Sequence, residues 1–137
     1  MRQFQKLRIQ RDEKIKILII DDEKLICSSI KHYLERDEQY AVDTAFRGHD
    51  ALMKLGDNSY DLILTDLNLP DFKEFELVEE IRSRGILMPV LTMSAQFPET
   101  KEFFAVKHRI FKCIPKPFEL NEIRDCVAEA VKCRFWQ

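Results

Sequence analysis

Apolar residues along this chain fall into five short runs that alternate with five stretches of helical spacing. The first run, Ile15-Lys16-Ile17-Leu18-Ile19-Ile20, is rich in β-branched residues and stops on Asp21-Asp22-Glu23, the profile of a buried strand meeting a polar loop. Over residues 24–38, Ile26, Ile30, Tyr33 and Leu34 stand at i, i+4, i+7 and i+8. That spacing predicts an amphipathic helix with His32 on its polar side. Tyr40, Val42 and Thr44 then alternate as a second strand. Gly48 opens a short helix whose buried stripe is Ala51, Leu52 and Leu55, closed by Gly56-Asp57-Asn58-Ser59.

The second half keeps the alternation. Residues 60–66 make a third strand that ends on Asp66, with Pro70 as a turn signal, and Phe75, Leu77, Val78 and Ile81 mark a helix running up to Gly85. Residues 89–93 form a fourth strand ending at Ser94-Ala95, and residues 99–107 are helical by composition. Residues 110–114 make a fifth strand before Pro115-Lys116-Pro117, and Leu120, Ile123, Val127 and Val131 carry the last helix. Each crossover between parallel strands needs a helix-sized connection, so this order predicts an α/β fold with a parallel sheet covered on both faces.

Composition narrows the reading. A chain of 137 residues fits one domain with its own core. The expected division is a charged extension over residues 1–14, a globular unit over 15–133 and a short tail over 134–137. A net charge of −2 argues against a nucleic-acid face built on bulk electrostatics. Cys27, Cys113, Cys126 and Cys133 form no C-x-x-C pair and read as free thiols of a reducing compartment. No apolar stretch approaches the roughly 20 residues that cross a bilayer, and the amino terminus alternates charge. The expected setting is the cytoplasm, with no membrane contact.

Candidate chemistry sits at the strand ends. Asp21 and Asp22, Asp66, Ser94, and Lys116 just past the fifth strand fall on one edge of a parallel sheet. Three carboxylates that close repel one another unless a cation lies among them, and oxygen-only ligands suit a hard divalent ion such as Mg2+. Lys116 adds a fixed positive charge and Ser94 a hydrogen-bond donor, which together suit the oxygens of a phosphoryl group at Asp66. A carboxylate can itself be the nucleophile in such chemistry.

These residues carry a resemblance to the receiver domain of two-component response regulators over roughly residues 15–132. The motifs are Asp21-Asp22 after strand one, Asp66 with its Asp-x-Asn-x-Pro continuation, Ser94-Ala95 after strand four and Lys116-Pro117-Phe118 after strand five. Their intervals, 44, 28 and 22 residues from Asp22 through Asp66 and Ser94 to Lys116, also fit. The resemblance implies a flavodoxin-like (βα)5 fold with sheet order 2-1-3-4-5. It implies Asp66 as phosphoacceptor, Mg2+ held by Asp21, Asp22, Asp66 and the backbone carbonyl of Asn68, and Ser94 and Lys116 on the phosphate, with a cis peptide between Lys116 and Pro117. The partners it implies are a sensor histidine kinase or histidine phosphotransfer protein, and a downstream protein or second copy on the helix 4, strand 5, helix 5 face. Such a domain is no enzyme in the ordinary sense, although it promotes its own phosphorylation and dephosphorylation. No effector domain is evident in the sequence, so output is expected to pass through a partner or dimerisation.

The sequence departs from the family pattern at two places. Glu74 stands where receivers usually have Gly, and Cys113 where they carry an aromatic switch residue. A small core residue is the simplest reading of Cys113, and the aromatic step of the switch is expected to be absent, with Phe97 or Phe111 as substitutes. Rival readings fare worse. A flavodoxin-type cofactor binder needs a Gly/Ser/Thr-rich loop where this chain has Asp21-Asp22-Glu23. Aspartyl phosphatases carry an Asp-x-Asp signature where this chain has Asn68. A degenerate receiver that acts only as an interaction module is at odds with the complete acidic pocket. His32, His49 and His108 read as solvated surface histidines, and Phe135-Trp136 as a cap on the last helix or a boundary of the unit.

Overall fold

Strand β1 (Ile15–Ile20) is buried at every position but Lys16, because Ile17 and Ile19 face one layer of helices while Leu18 and Ile20 face the other. That two-sided burial is what a central parallel strand requires. In the computed structural model, which describes residues 13–133, β1 lies between β2 (Tyr40–Ala45) and β3 (Leu62–Asp66). β4 (Val90–Ser94) and β5 (Ile110–Pro115) continue the sheet in the order β2-β1-β3-β4-β5, every pairing parallel. The flavodoxin-like order expected from the resemblance is thus the observed one. Most of the extension expected over residues 1–14, and Phe135-Trp136, lie outside the described residues.

Among the described residues, five helices cover the sheet. α1 (Lys24–Leu34) and α5 (Leu120–Cys133) bury Cys27, Ile30, Leu34, Ile123, Val127 and Ala130 on one face. α2 (Gly48–Asp57), α3 (Glu76–Ser83) and α4 (Lys101–Lys107) cover the other with Ala51, Leu52, Leu77, Val78 and Ile81. α4 contributes no fully buried residue, so it is the helix least tied to the core. α1 stops four residues short of the expected end. Asp37 turns its carboxylate onto the Gln39 amide at 3.1 Å, a local bond that competes with further helix. α3 ends where Gly85 takes φ 78, the left-handed residue of a helix C-terminus.

Two features set the loops apart. Val90 pairs with Ile110 but Leu91 pairs with Lys112, which leaves Phe111 as the extra residue of a bulge in the outer strand β5. Glu74, ahead of α3, sits at φ 42. The glycine usual at this position would adopt that conformation freely, whereas a side chain there costs roughly 1–2 kcal/mol. Glu74→Gly gives back part of this gain as glycine's own entropy, so the variant should be more stable by about 0.5–1 kcal/mol. Chemical denaturation checks it, and an unchanged or lower midpoint refutes it.

Candidate functional site

The four strand ends converge as their sequence positions imply. Asp21, fully buried just past β1, and Asp66, 4% exposed at the end of β3, stand with the exposed Asp22 so that one carboxylate oxygen from each lies within 4.8 Å of the others. Lys116 reaches over from the end of β5, its Nζ 2.9 Å from Asp21 Oδ2 and 3.3 Å from Asp66 Oδ2. Backbone groups complete the carboxylates' partners. The Glu23 amide donates to Asp21 Oδ1 at 2.9 Å and the Asn68 amide to Asp66 Oδ1 at 3.2 Å. The Lys116-Pro117 peptide is cis.

Charge balance in this pocket is incomplete: one ammonium faces three carboxylates. Burial pushes the Asp66 carboxyl above its ordinary range; the Asn68 amide works against that, Asp21 adds to it and Lys116 opposes it. For Lys116, burial acts downward, yet the Asp21 hydrogen bond and the charges of Asp21 and Asp66 outweigh it and raise the ammonium. Both partners of the Asp66–Lys116 contact are therefore shifted up, which is consistent because Lys116 is held mainly by Asp21, its nearer partner. A divalent cation fits the donor set: hard oxygens, partly buried, with excess negative charge.

Ser94 is 1% exposed and is not bonded to the cluster. Its hydroxyl donates to the Gln96 carbonyl at 2.8 Å and accepts from the Gln96 amide at 3.1 Å. The strand below places it close by, since the Lys116 amide donates to the Ser94 carbonyl at 2.8 Å. The Asn68 side chain is exposed. Cys113 is half-buried among the α2–α4 face residues, so β5 adds Ile110 and Cys113 to that cluster and no ring. The ring there comes from α4: Phe104 stacks on Phe75 at 5.2 Å and on His108 at 5.8 Å.

One of the three histidines is not the solvated residue expected. His108 is 8% exposed, and among the described residues its Nε2 has no hydrogen-bond partner; burial in this stack lowers its pKa, so the ring is neutral near pH 7. His49 is exposed as expected but its Nδ1 lies 2.6 Å from the Asp71 carboxylate. His32 is exposed. Sequence reasoning also missed Asp71 and Arg82. Asp71 follows Pro70, an ordinary loop position, and its partners lie more than 20 residues away. Arg82 sits in α3 with no motif around it, yet its guanidinium donates to the carbonyls of His108, Ile86, Met88 and Arg109 at 2.7–3.1 Å.

Among the described residues no helix is long and apolar enough to cross a membrane. Comparison with known proteins agrees with the geometry. The family model described as response regulator receiver domain matches residues 17–128. The transcriptional regulatory protein ResD of Bacillus subtilis is 33% identical over 115 residues, covering 84% of this chain and 47% of that protein. This chain spans between a fifth and a half of the curated relatives it matches. The non-phosphorylated HemR receiver domain from Leptospira biflexa is 30% identical with a TM-score of 0.78, covering 86% of this chain and 94% of that one. The response regulator TrrA from Thermotoga maritima, solved in complex with Mg2+-BeF, is 27% identical with a TM-score of 0.73, covering 85% and 98%. A family match over most of the chain, on the observed sheet order and with an acidic cluster at the strand ends, makes this chain a member of the response regulator receiver family.

Proposed function

We propose that Asp66 accepts a phosphoryl group from a phosphohistidine on a sensor kinase or histidine phosphotransfer protein, in a Mg2+-dependent reaction. The observation that carries this reading is the convergence of Asp21, Asp22 and Asp66 within 4.8 Å beside Lys116. An Asp66 carboxylate oxygen attacks phosphorus, the P–N bond to the donor imidazole breaks, and the freed imidazole keeps the electron pair and takes up a proton. The product is an acyl phosphate on Asp66. Asp21, Asp22, Asp66 and the Asn68 carbonyl are the residues that would hold Mg2+. Bound there, the cation offsets the negative charge gathered on the transferred group. Lys116 Nζ, shared between Asp21 and Asp66, would donate to a phosphoryl oxygen. Ser94 Oγ must first exchange its bond to the Gln96 carbonyl for one to phosphate, a trade of one hydrogen bond for a charge-assisted one.

That exchange is the proposed link to output. It pulls on residues 95–100, which lead into α4, the least anchored helix, and so shifts the α4–β5–α5 face toward a partner or a second copy. Phe103 at 62%, Val106 at 80% and Phe111 at 37% exposure supply the apolar surface there. The test is incubation with acetyl phosphate, with and without Mg2+, followed by intact-protein mass spectrometry. The expected result is a phosphoryl adduct with Mg2+ and none when the metal is chelated. Absence of an adduct with acetyl phosphate and with a panel of phosphorylated histidine kinases would overturn the reading in favour of a phosphorylation-independent interaction module.

A further inference from the structure

Asp71 holds the loop after β3 from an unexpected direction. Its Oδ1 accepts from the Gly48 amide and its Oδ2 from the His49 amide, both at 2.9 Å, so a residue of the β3–α3 loop supplies the cap for the first turn of α2. Arg47, the residue at the cap position itself, makes no side-chain capping bond. The His49 ring adds a third contact at 2.6 Å to Asp71 Oδ2. Burial works to raise the Asp71 carboxyl, but these bonds, the two amides first, outweigh it and bring the pKa down to about 2. The side chain is 8% exposed, so the anchor is shielded from water.

Phe72, the next residue, locks the same junction. Its ring lies where a Gly48 Cβ would come within 2.1 Å, so Gly48 is the residue that lets the loop close onto α2. The loop is also closed on itself. Asn68 bridges Lys73 in antiparallel fashion, and the Lys73 amide donates to Glu76 Oε1 at 2.7 Å. Leu67 and Leu69 are buried. Thus segment 67–75 is fastened at its base by the sheet, at its far end by α3, and at its tip by Asp71 on α2. The same segment carries Asn68, whose amide already meets Asp66.

We propose that Asp71 is a positioning residue for the metal site: by tying the loop tip to α2 it fixes the Asn68 backbone for a cation held by Asp21, Asp22 and Asp66. The inference rests on the Mg2+ reading given above. Ligands held by outer partners lose affinity when those partners are removed, because the free site then pays to order the ligand. Asp71 touches no proposed ligand side chain, so its effect passes through the backbone of residues 68–71.

The experiment is a Mg2+ titration of unphosphorylated protein followed by amide chemical shifts at Asp22 and Asn68. Asp71→Ala should raise the Mg2+ Kd about 3- to 10-fold, less than the roughly 10- to 100-fold of partners bonded directly to a ligand, because Asp71 acts through the backbone. Asp71→Asn keeps an oxygen acceptor for one amide and should recover part of the loss; it also carries the test should Asp71→Ala fail to fold. Two controls separate positioning from other effects. Asp50→Ala removes an equal charge from the exposed first turn of α2, and Arg82→Met loosens loops outside the acidic cluster. Neither should change the Kd by more than about 2-fold, since the Arg82 hydrogen bonds go to Ile86, Met88, His108 and Arg109 and Asp50 is exposed, where solvent and salt screen its charge. Wild-type protein that binds Mg2+ with an Asp71→Ala Kd unchanged overturns the positioning role alone. A Kd raised equally by Asp50→Ala or Arg82→Met also overturns it. Silence of the wild-type amides at millimolar Mg2+ overturns the metal reading and this inference with it.

Discussion

Asp66→Asn should abolish phosphoryl incorporation completely while leaving the fold intact. The carboxamide has nearly the same shape, but its nitrogen lone pair is delocalised and its oxygen carries no full charge, so no nucleophile remains at that strand end. Stability should move the opposite way from activity. Because burial and Asp21 raise the Asp66 carboxyl, its folded-state pKa lies above the unfolded one. The ionised group therefore opposes folding once pH rises past the unfolded value. Near neutral pH and without metal, the Asn variant should melt at or above the parent's temperature, Lys116 keeping Asp21 as its partner. Millimolar Mg2+ should reverse the order, since only a metal-binding native state gains stability from the ion. Mass spectrometry with acetyl phosphate and thermal melts with and without Mg2+ give both readouts. Persistent labelling in Asp66→Asn would show that another residue is the acceptor.

The largest loss of stability is expected from a residue far from that chemistry. Arg82→Met removes four donors aimed at the carbonyls of Ile86, Met88, His108 and Arg109. These carbonyls belong to the α3–β4 and α4–β5 connections, where no ladder bonds take over. An acceptor left without a partner in a partly buried site costs about 1–3 kcal/mol, and water can relieve the more exposed of the four. A net loss of about 2–4 kcal/mol follows, or roughly 8–15 °C in Tm for a domain of this size. Burial, and then the nearby Arg109, bring the guanidinium down to about 10, which still leaves it charged near pH 7. Arg82→Lys should recover little, because one ammonium cannot span carbonyls on two loops. Guanidinium chloride unfolding decides the matter, and a loss under about 1 kcal/mol would show that the loops stand without the arginine.

The two residues also mark the boundary of what the sequence discloses. Buried parallel strands read as continuous apolar runs, so Ile15–Ile20, Leu62–Asp66 and Val90–Ser94 were visible, and with them the carboxylates at their ends. Asp66, Asp21 and Lys116 meet because the topology brings all strand ends to one edge. Arg82 and Asp71 do not follow from any such regularity. Each depends on a side chain meeting backbone groups 22 to 27 residues away or in another loop, and backbone amides and carbonyls are the same for every sequence. His108 misled for a related reason. Flanked by Lys107 and Arg109, it reads as polar surface, yet stacking on Phe104 turns it inward.

The bulge at Phe111 has a bearing on how copies of this domain can meet. An outer strand with a regular row of free amides and carbonyls is a template on which another chain's strand can grow, the route to irreversible aggregation. In β5 the row is broken between Ile110 and Lys112, and exposed Lys112 places a charge beside the break. A strand arriving there finds its register lost within two residues. Contact on this side of the molecule is therefore left to side chains, exposed Phe103, Val106 and Phe111 among them, and side chains that only touch can part again where a shared sheet cannot.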